Sequence, residues 1–190
     1  MTNLTFYCER GHSACRVHTG QEYNTPMETA NEEPALPVVP RPLSIFVDAD
    51  ACPVKDEVYK VATRHAMPVL VVANTAMRVP GGLVQMVVCP GFGAADDWIA
   101  EQIGLGDIAI TADIPLAARC LAKGARVIDA RGYIFSENNI AEALALRGML
   151  EERRQYGEST GGPSPMTPKD RSRFLSKLDE TIHSVRKGRG

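Results

Sequence analysis

Long apolar runs are absent from this sequence. Its most apolar stretches, such as 68–73 (PVLVVA), fall far short of the roughly 20 residues that a bilayer crossing needs. The N-terminal stretch MTNLTFYCERGHSACRV has no apolar core of the kind a secretory signal carries. A disulfide framework is missing as well. Five cysteines, an odd number at irregular spacings, read as reduced thiols. These absences lead to the expectation of a cytoplasmic protein with no membrane partner. No internal repeat is evident, and no large excess of one charge: 21 Lys and Arg stand against 23 Asp and Glu.

The near-neutral total hides a gradient. Over 44–146 there are eight basic and twelve acidic residues, and from Arg147 onward ten basic and six acidic. An acidic body with a basic tail suits a metal site beside a phosphate-bearing ligand, and equally a solvated helical surface. The 190 residues are 44% apolar, enough for one domain with a real core and flanking tails.

Residues 1–43 are rich in Glu, Asn, Thr and Pro, hold no sustained period and close on PALPVVPRP. Such a segment buries too little apolar surface to offset its ordering entropy, so a disordered extension is expected. Cys8, His12, Cys15 and His18 within it are zinc-compatible residue types, but no strand or helix signal surrounds them. From Ser44 the pattern changes to short apolar runs alternating with helical spacing. Strands are expected over 44–47, 68–73, 83–89, 107–111 and 125–128. Helices are expected from Pro53, over 95–103 and 114–123, from Ser136 to about 156, and after the capping box Thr167-Pro168-Lys169-Asp170. This alternation predicts an α/β fold, three layers with a mostly parallel central sheet over 44–157. A loop and a docked C-terminal helix are expected over 158–190, where Phe174, Leu175, Leu178, Ile182 and Val185 form one apolar stripe.

The stretch SIFVDADACPV ends an apolar strand with Asp48 and Asp50. Side chains two apart on an extended backbone point the same way, so two like charges meet there. Asp96 and Asp97 open a helix, and Asp113 follows the strand at 107–111. Each alone fits a helix cap. Together they lie where a parallel sheet presents its carboxyl edge, the place where such folds bind ligands. Oxygen donors from several strand ends suit Mg2+ or Mn2+, and such a cation can stabilise charge on a phosphodiester. DADAC after a strand also resembles the start of haloacid-dehalogenase phosphatases, whose first Asp is a covalent nucleophile. The later Lys and acidic pair of that family do not appear in the expected order here, since Lys123 follows Asp113. Cys52 reads as a small packed residue rather than a nucleophile.

The motifs VDADACPVKDEV, VAN (72–74), AAD (94–96), GDIAITADIPLA, KGA, GYIF and TGGP followed by DR resemble the YaiI/YqxD family of bacterial proteins. The resemblance covers nearly everything outside the N-terminal extension. It implies a compact α/β/α domain similar to the PIN-like nucleases, with clustered acids and divalent metal, in a family without an assigned activity. Carried over, the family's acids fall on Asp48, Asp50, Asp96 and Asp113, and Asn74 and Arg78 match family positions after the second strand. Where members commonly carry a further Asp, this chain has Gly93.

The function expected from all of this is metal-dependent cleavage of RNA or single-stranded nucleic acid. Asp48, Asp50, Asp96 and Asp113 would hold Mg2+ or Mn2+, and Asn74, Arg78, Thr111 and Arg171 would meet substrate. The alternatives are a catalytically silent module binding RNA or protein and, third, a phosphatase. Arg171 has two readings, a phosphate contact or an ion pair that fixes the last helix.

Overall fold

A computed structural model describes residues 5–7, 41–50, 52–157 and 164–188. Its strands are β1 (Thr5–Tyr7), β2 (Ile45–Asp48), β3 (Val69–Ala73), β4 (Val84–Val88), β5 (Ile108–Ile110), β6 (Arg126–Ile128) and β7 (Ile134–Phe135). Its helices are α1 (Lys55–Arg64), α2 (Ala94–Gln102), α3 (Ile114–Ala122), α4 (Glu137–Gln155) and α5 (Pro168–Lys187). All seven strands join one sheet in the order β1-β4-β3-β2-β5-β6-β7, parallel except for the final β6–β7 pair. The expected mostly parallel α/β/α fold is what forms.

Side-chain alternation sorts the strands between two cores. Ile45, Val47, Val69, Val71, Met86, Ile108 and Ile110 face one way, onto α1 and the stripe Phe174, Leu178, Ile182 and Val185 of α5. Phe46, Val72, Val87, Ala109 and Val127 face the other, onto α2 and α3 through Ile99, Ile103, Leu116 and Cys120. Helices therefore cover both faces, as a parallel sheet with near-continuous Val and Ile demands. The turn between β6 and β7 lies close under α5. A Cβ on Gly132, at φ +79°, would meet the backbone of Arg173 and Phe174 at 3.0–3.1 Å, so glycine is what lets the two elements touch.

Two expectations need correction in detail. The extension is not wholly without structure: Thr5–Tyr7 pairs in parallel with Met86–Val88 as an edge strand. Thr-Phe-Tyr is β-prone, and β4 otherwise offers an unpaired ladder on that side. Cys8, His12, Cys15 and His18 lie outside the described residues. The first helix begins at Lys55 rather than Pro53, because Pro53 and Val54 form a turn from which Lys55 donates to the Ala49 carbonyl at 3.0 Å. The helix α4 forms as expected but buries little of its apolar content: Ile140 and Ala143 pack on the second core, whereas Leu144 and Leu146 are exposed.

By contact density the chain divides into two units, Met1–Cys8 with Pro42–Gly190, and Glu9–Arg41. No helix among the described residues is long and apolar enough to cross a membrane.

Candidate functional site at the carboxyl edge of the sheet

The chain runs outward from β2 through β3 to β4, then crosses back to β5 on the other side of β2 and on to β6. The direction of winding thus reverses between β2 and β5, and a cleft opens beyond their carboxyl ends. It is a small, open depression lined by Asp48, Cys52, Ile110, Thr111, Ala112 and Ala130.

Asp48 closes β2 and follows Phe46 in the alternation, which turns it toward the face that carries α2 and α3. Thr111 Oγ1 donates to Asp48 Oδ2 at 2.8 Å and accepts from the Asp113 amide at 3.0 Å. One hydroxyl thereby links the ends of β2 and β5. Asp113 is the N-cap of α3, its Oδ1 accepting from the Leu116 amide at 2.9 Å and its Oδ2 lying 3.4 Å from Arg147 of α4. Asp96 sits in the first turn of α2.

Burial first, and then the neighbouring charges of Asp50 and Asp113, push the Asp48 carboxyl above its ordinary value, against the Thr111 hydrogen bond. Asp96 is raised by burial, then by the charges of Asp48 and Asp113, with Arg119 opposing. Three acids from β2, α2 and the β5–α3 junction therefore act on one another electrostatically.

The remaining expected residues are placed as follows. Asp50 is exposed and accepts from the Asn74 amide at 3.2 Å, which ties the loop after β2 to the end of β3. The Asn74 side-chain oxygen is buried and has no hydrogen-bond partner. Arg78 is exposed and makes no ion pair among the described residues. Asp97 pairs with Arg119 at 2.9 Å. Arg171 takes the fixing role: its Nη1 lies 2.7 Å from Glu57 Oε1 and 3.1 Å from the Pro53 carbonyl, joining α5 to α1. Cys52 is buried and its thiol is pushed up to about 11, chiefly by that burial, so it is a packed residue.

Sequence reasoning had not singled out Arg147 as the partner of Asp113, nor Thr111 as the bridge between two acids. Both depend on tertiary structure. Once β2 pairs with β5, Val47 faces Ile110 and one residue further on Asp48 meets Thr111. The contact between Arg147 and Asp113 depends on how α4 packs.

The acids do not draw into a closed shell. Among the described residues, the only group of three or more ligating side chains whose atoms all lie within 4.8 Å of one another is elsewhere, at His65, Asp179 and His183. The donor set at the sheet edge still fits a hard cation. It is all oxygen, its members repel, and Mg2+ keeps waters and binds directly through one or two carboxylates. Asp48 and Asp113 with Asp96 or Asp50 are the residues that would hold it.

Fold and site together define a doubly wound α/β/α protein with an acid-lined cleft at its switch point. The chain belongs to the YaiI/YqxD family: the model described as "Uncharacterized BCR, YaiI/YqxD family" matches residues 46–184. It is 51% identical over 148 residues to a UPF0178 protein of Rhodopseudomonas palustris, covering 77% of this chain and 96% of the relative. A UPF0178 protein of Rhodospirillum rubrum is 52% identical over 150 residues, 77% of this chain and 100% of the relative. No solved structure matches.

Proposed function

We propose that this acidic edge is the centre of a divalent-metal-dependent hydrolase of nucleic-acid phosphodiesters. The observation that supports it best is the meeting of Asp48 and Asp113 at the ends of β2 and β5, where one Thr111 hydroxyl bonds to both residues, with Asp96 of α2 near enough for their charges to raise its carboxyl. A fold does not crowd partly buried carboxylates for stability, since each raises the cost of ionising the next.

Each residue then has a task. Thr111 holds Asp48 in one orientation and fixes the Asp113 backbone in the same step. The Asn74 amide holds Asp50 at the rim. Asp113 is steadied by the first turn of α3 and shares its second oxygen with Arg147. Arg147 is about half exposed and so is able to exchange that partner for a phosphate. Arg78, exposed in the loop after β3, supplies a second cation on the β3 side. Mg2+ or Mn2+ held by these acids would supply Lewis-acid stabilisation of charge on the phosphodiester.

The test uses the full chain, freed of metal, with labelled single-stranded RNA or DNA and added Mn2+ at two salt concentrations. Cleavage should require Mn2+, be lost in Asp48→Asn and Asp96→Asn, and accompany binding that falls steeply with salt. Salt-sensitive binding without cleavage in the wild type would return the silent binding module. Turnover of a phosphomonoester alone would return the phosphatase. Cleavage unchanged by Asp48→Asn, or neither binding nor cleavage, would remove the reading altogether.

A further inference from the structure

On the face of the molecule formed by α1 and α5, two imidazoles and a carboxylate converge. His65 caps the C-terminus of α1, and Asp179 and His183 stand one turn apart on α5. His65 Nε2 lies 2.8 Å from Asp179 Oδ1, and His183 Nε2 lies 3.6 Å from Asp179 Oδ2. The rings meet edge to face with centroids 5.0 Å apart. Both histidines thus turn the same nitrogen toward one carboxylate, and all three ligand atoms lie within 4.8 Å of one another.

We propose that His65, Asp179 and His183 form a binding site for a borderline transition cation of the Zn2+ class, which clamps the C-terminal helix onto α1. Tetrahedral zinc with bonds of about 2.0–2.1 Å separates its ligand atoms by roughly 3.3–3.4 Å. The 2.8 and 3.6 Å separations run to the two different oxygens of Asp179, so its carboxylate lies between both imidazoles, and side-chain rotations that open the His65–Asp179 hydrogen bond would bring the three ligands to that spacing around an ion. Two imidazoles with one carboxylate select Zn2+ over Mg2+ or Mn2+, the reverse of the all-oxygen edge. The site has an entry path, because the His183 side chain is 61% exposed while that of His65 is 9% exposed. Solvent would complete the coordination. Arg64, whose Nη1 is 3.6 Å from Asp179, is itself exposed, and a surface pair of this kind gives way at little cost.

The clamp has a consequence for the rest of the fold. The Arg186 guanidinium of α5 donates to the His65 carbonyl, and Arg171 joins the other end of α5 to Glu57 of α1. A cation at His65 would lock the far end of the same helix pair, and α1 follows directly from the loop that bears Asp50. The proposal is independent of the hydrolase reading, since no residue is shared.

The test is calorimetric titration of the chelator-treated full chain with Zn2+, repeated on three variants. The first is His183→Ala, at a position exposed enough to leave the core alone. The others are Asp48→Asn, for the acidic edge, and Cys8→Ser with Cys15→Ser, for the thiols of the extension. Removing one of three protein ligands should weaken Zn2+ binding by about tenfold or more in His183→Ala. Asp48→Asn and the cysteine variant should keep that site. Co2+ in place of Zn2+ should give visible bands free of thiolate charge transfer, lost in His183→Ala. No binding by the wild type, or equal affinity in wild type and His183→Ala, would overturn the proposal.

Discussion

Asp48 shows what single residues contribute here. Burial and its acidic neighbours raise its carboxyl above the ordinary value of 3.8. The folded state therefore binds a proton more readily than the unfolded chain does, and stability falls as pH rises from that ordinary value through the raised one. Asp48→Asn removes the penalty and keeps an oxygen to accept from Thr111. Without divalent metal the variant should be more stable at neutral pH by about 1 kcal/mol, roughly 2–4 °C in Tm for a chain of this size. The advantage should shrink toward pH 4, which thermal melts across pH would check. An Asp48→Asn variant less stable than wild type at pH 7 would contradict it. Gly93, the N-cap of α2 at φ +69°, tests the converse. A Cβ there meets nothing within 4 Å, so only backbone strain opposes a side chain. Gly93→Asp should cost about 1 kcal/mol in denaturant melts, because Asp tolerates this conformation better than most residues. It should also tighten Mn2+ binding, read as a larger metal-induced rise in Tm than wild type shows.

Among the elements, α5 carries the clearest division between stability and function. Its stripe Phe174, Leu178 and Ile182 is fully buried in the first core, and its start is closed by the reciprocal bonds of Thr167 and Asp170. Leu178→Ala should cost about 2–5 kcal/mol, read from the shift of a urea melt at constant slope. Arg171→Ala leaves the Glu57 carboxylate, 12% exposed and with one oxygen already unpartnered, without its cation. That should cost about 1–3 kcal/mol while leaving nucleic-acid binding and its salt dependence unchanged. A loss of binding at unchanged stability would restore the phosphate-contact reading of Arg171.

Over the whole molecule, the core residues among those described all follow Pro42, so a chain starting at Arg41 should still unfold in one cooperative transition. What it loses is β1, which covers the edge of β4. An uncovered parallel edge invites pairing between chains, so the truncated protein should self-associate more than the full chain at high concentration. Light scattering of the two, at matched concentration, would measure it. A truncated chain that fails to fold would show that the edge strand is part of the core rather than an addition to it.

The sequence by itself determined the alternation of strands and helices, the caps at Ser136 and Thr167, the stripe of α5 and the placing of Asp48, Asp96 and Asp113 after strands. All of these rest on local periodicity and on side chains within a few positions of one another. It did not determine the order of the strands across the sheet, and hence that β2 and β5 are neighbours with a cleft beyond their carboxyl ends. Nor did it reveal that Arg171 meets Glu57 across 114 positions, or that His65 meets Asp179 across an equal span. Such contacts arise when helices far apart in the chain bury their apolar faces on the same side of one sheet. Their polar partners are settled by that packing, because no local signal records which distant residue will stand opposite.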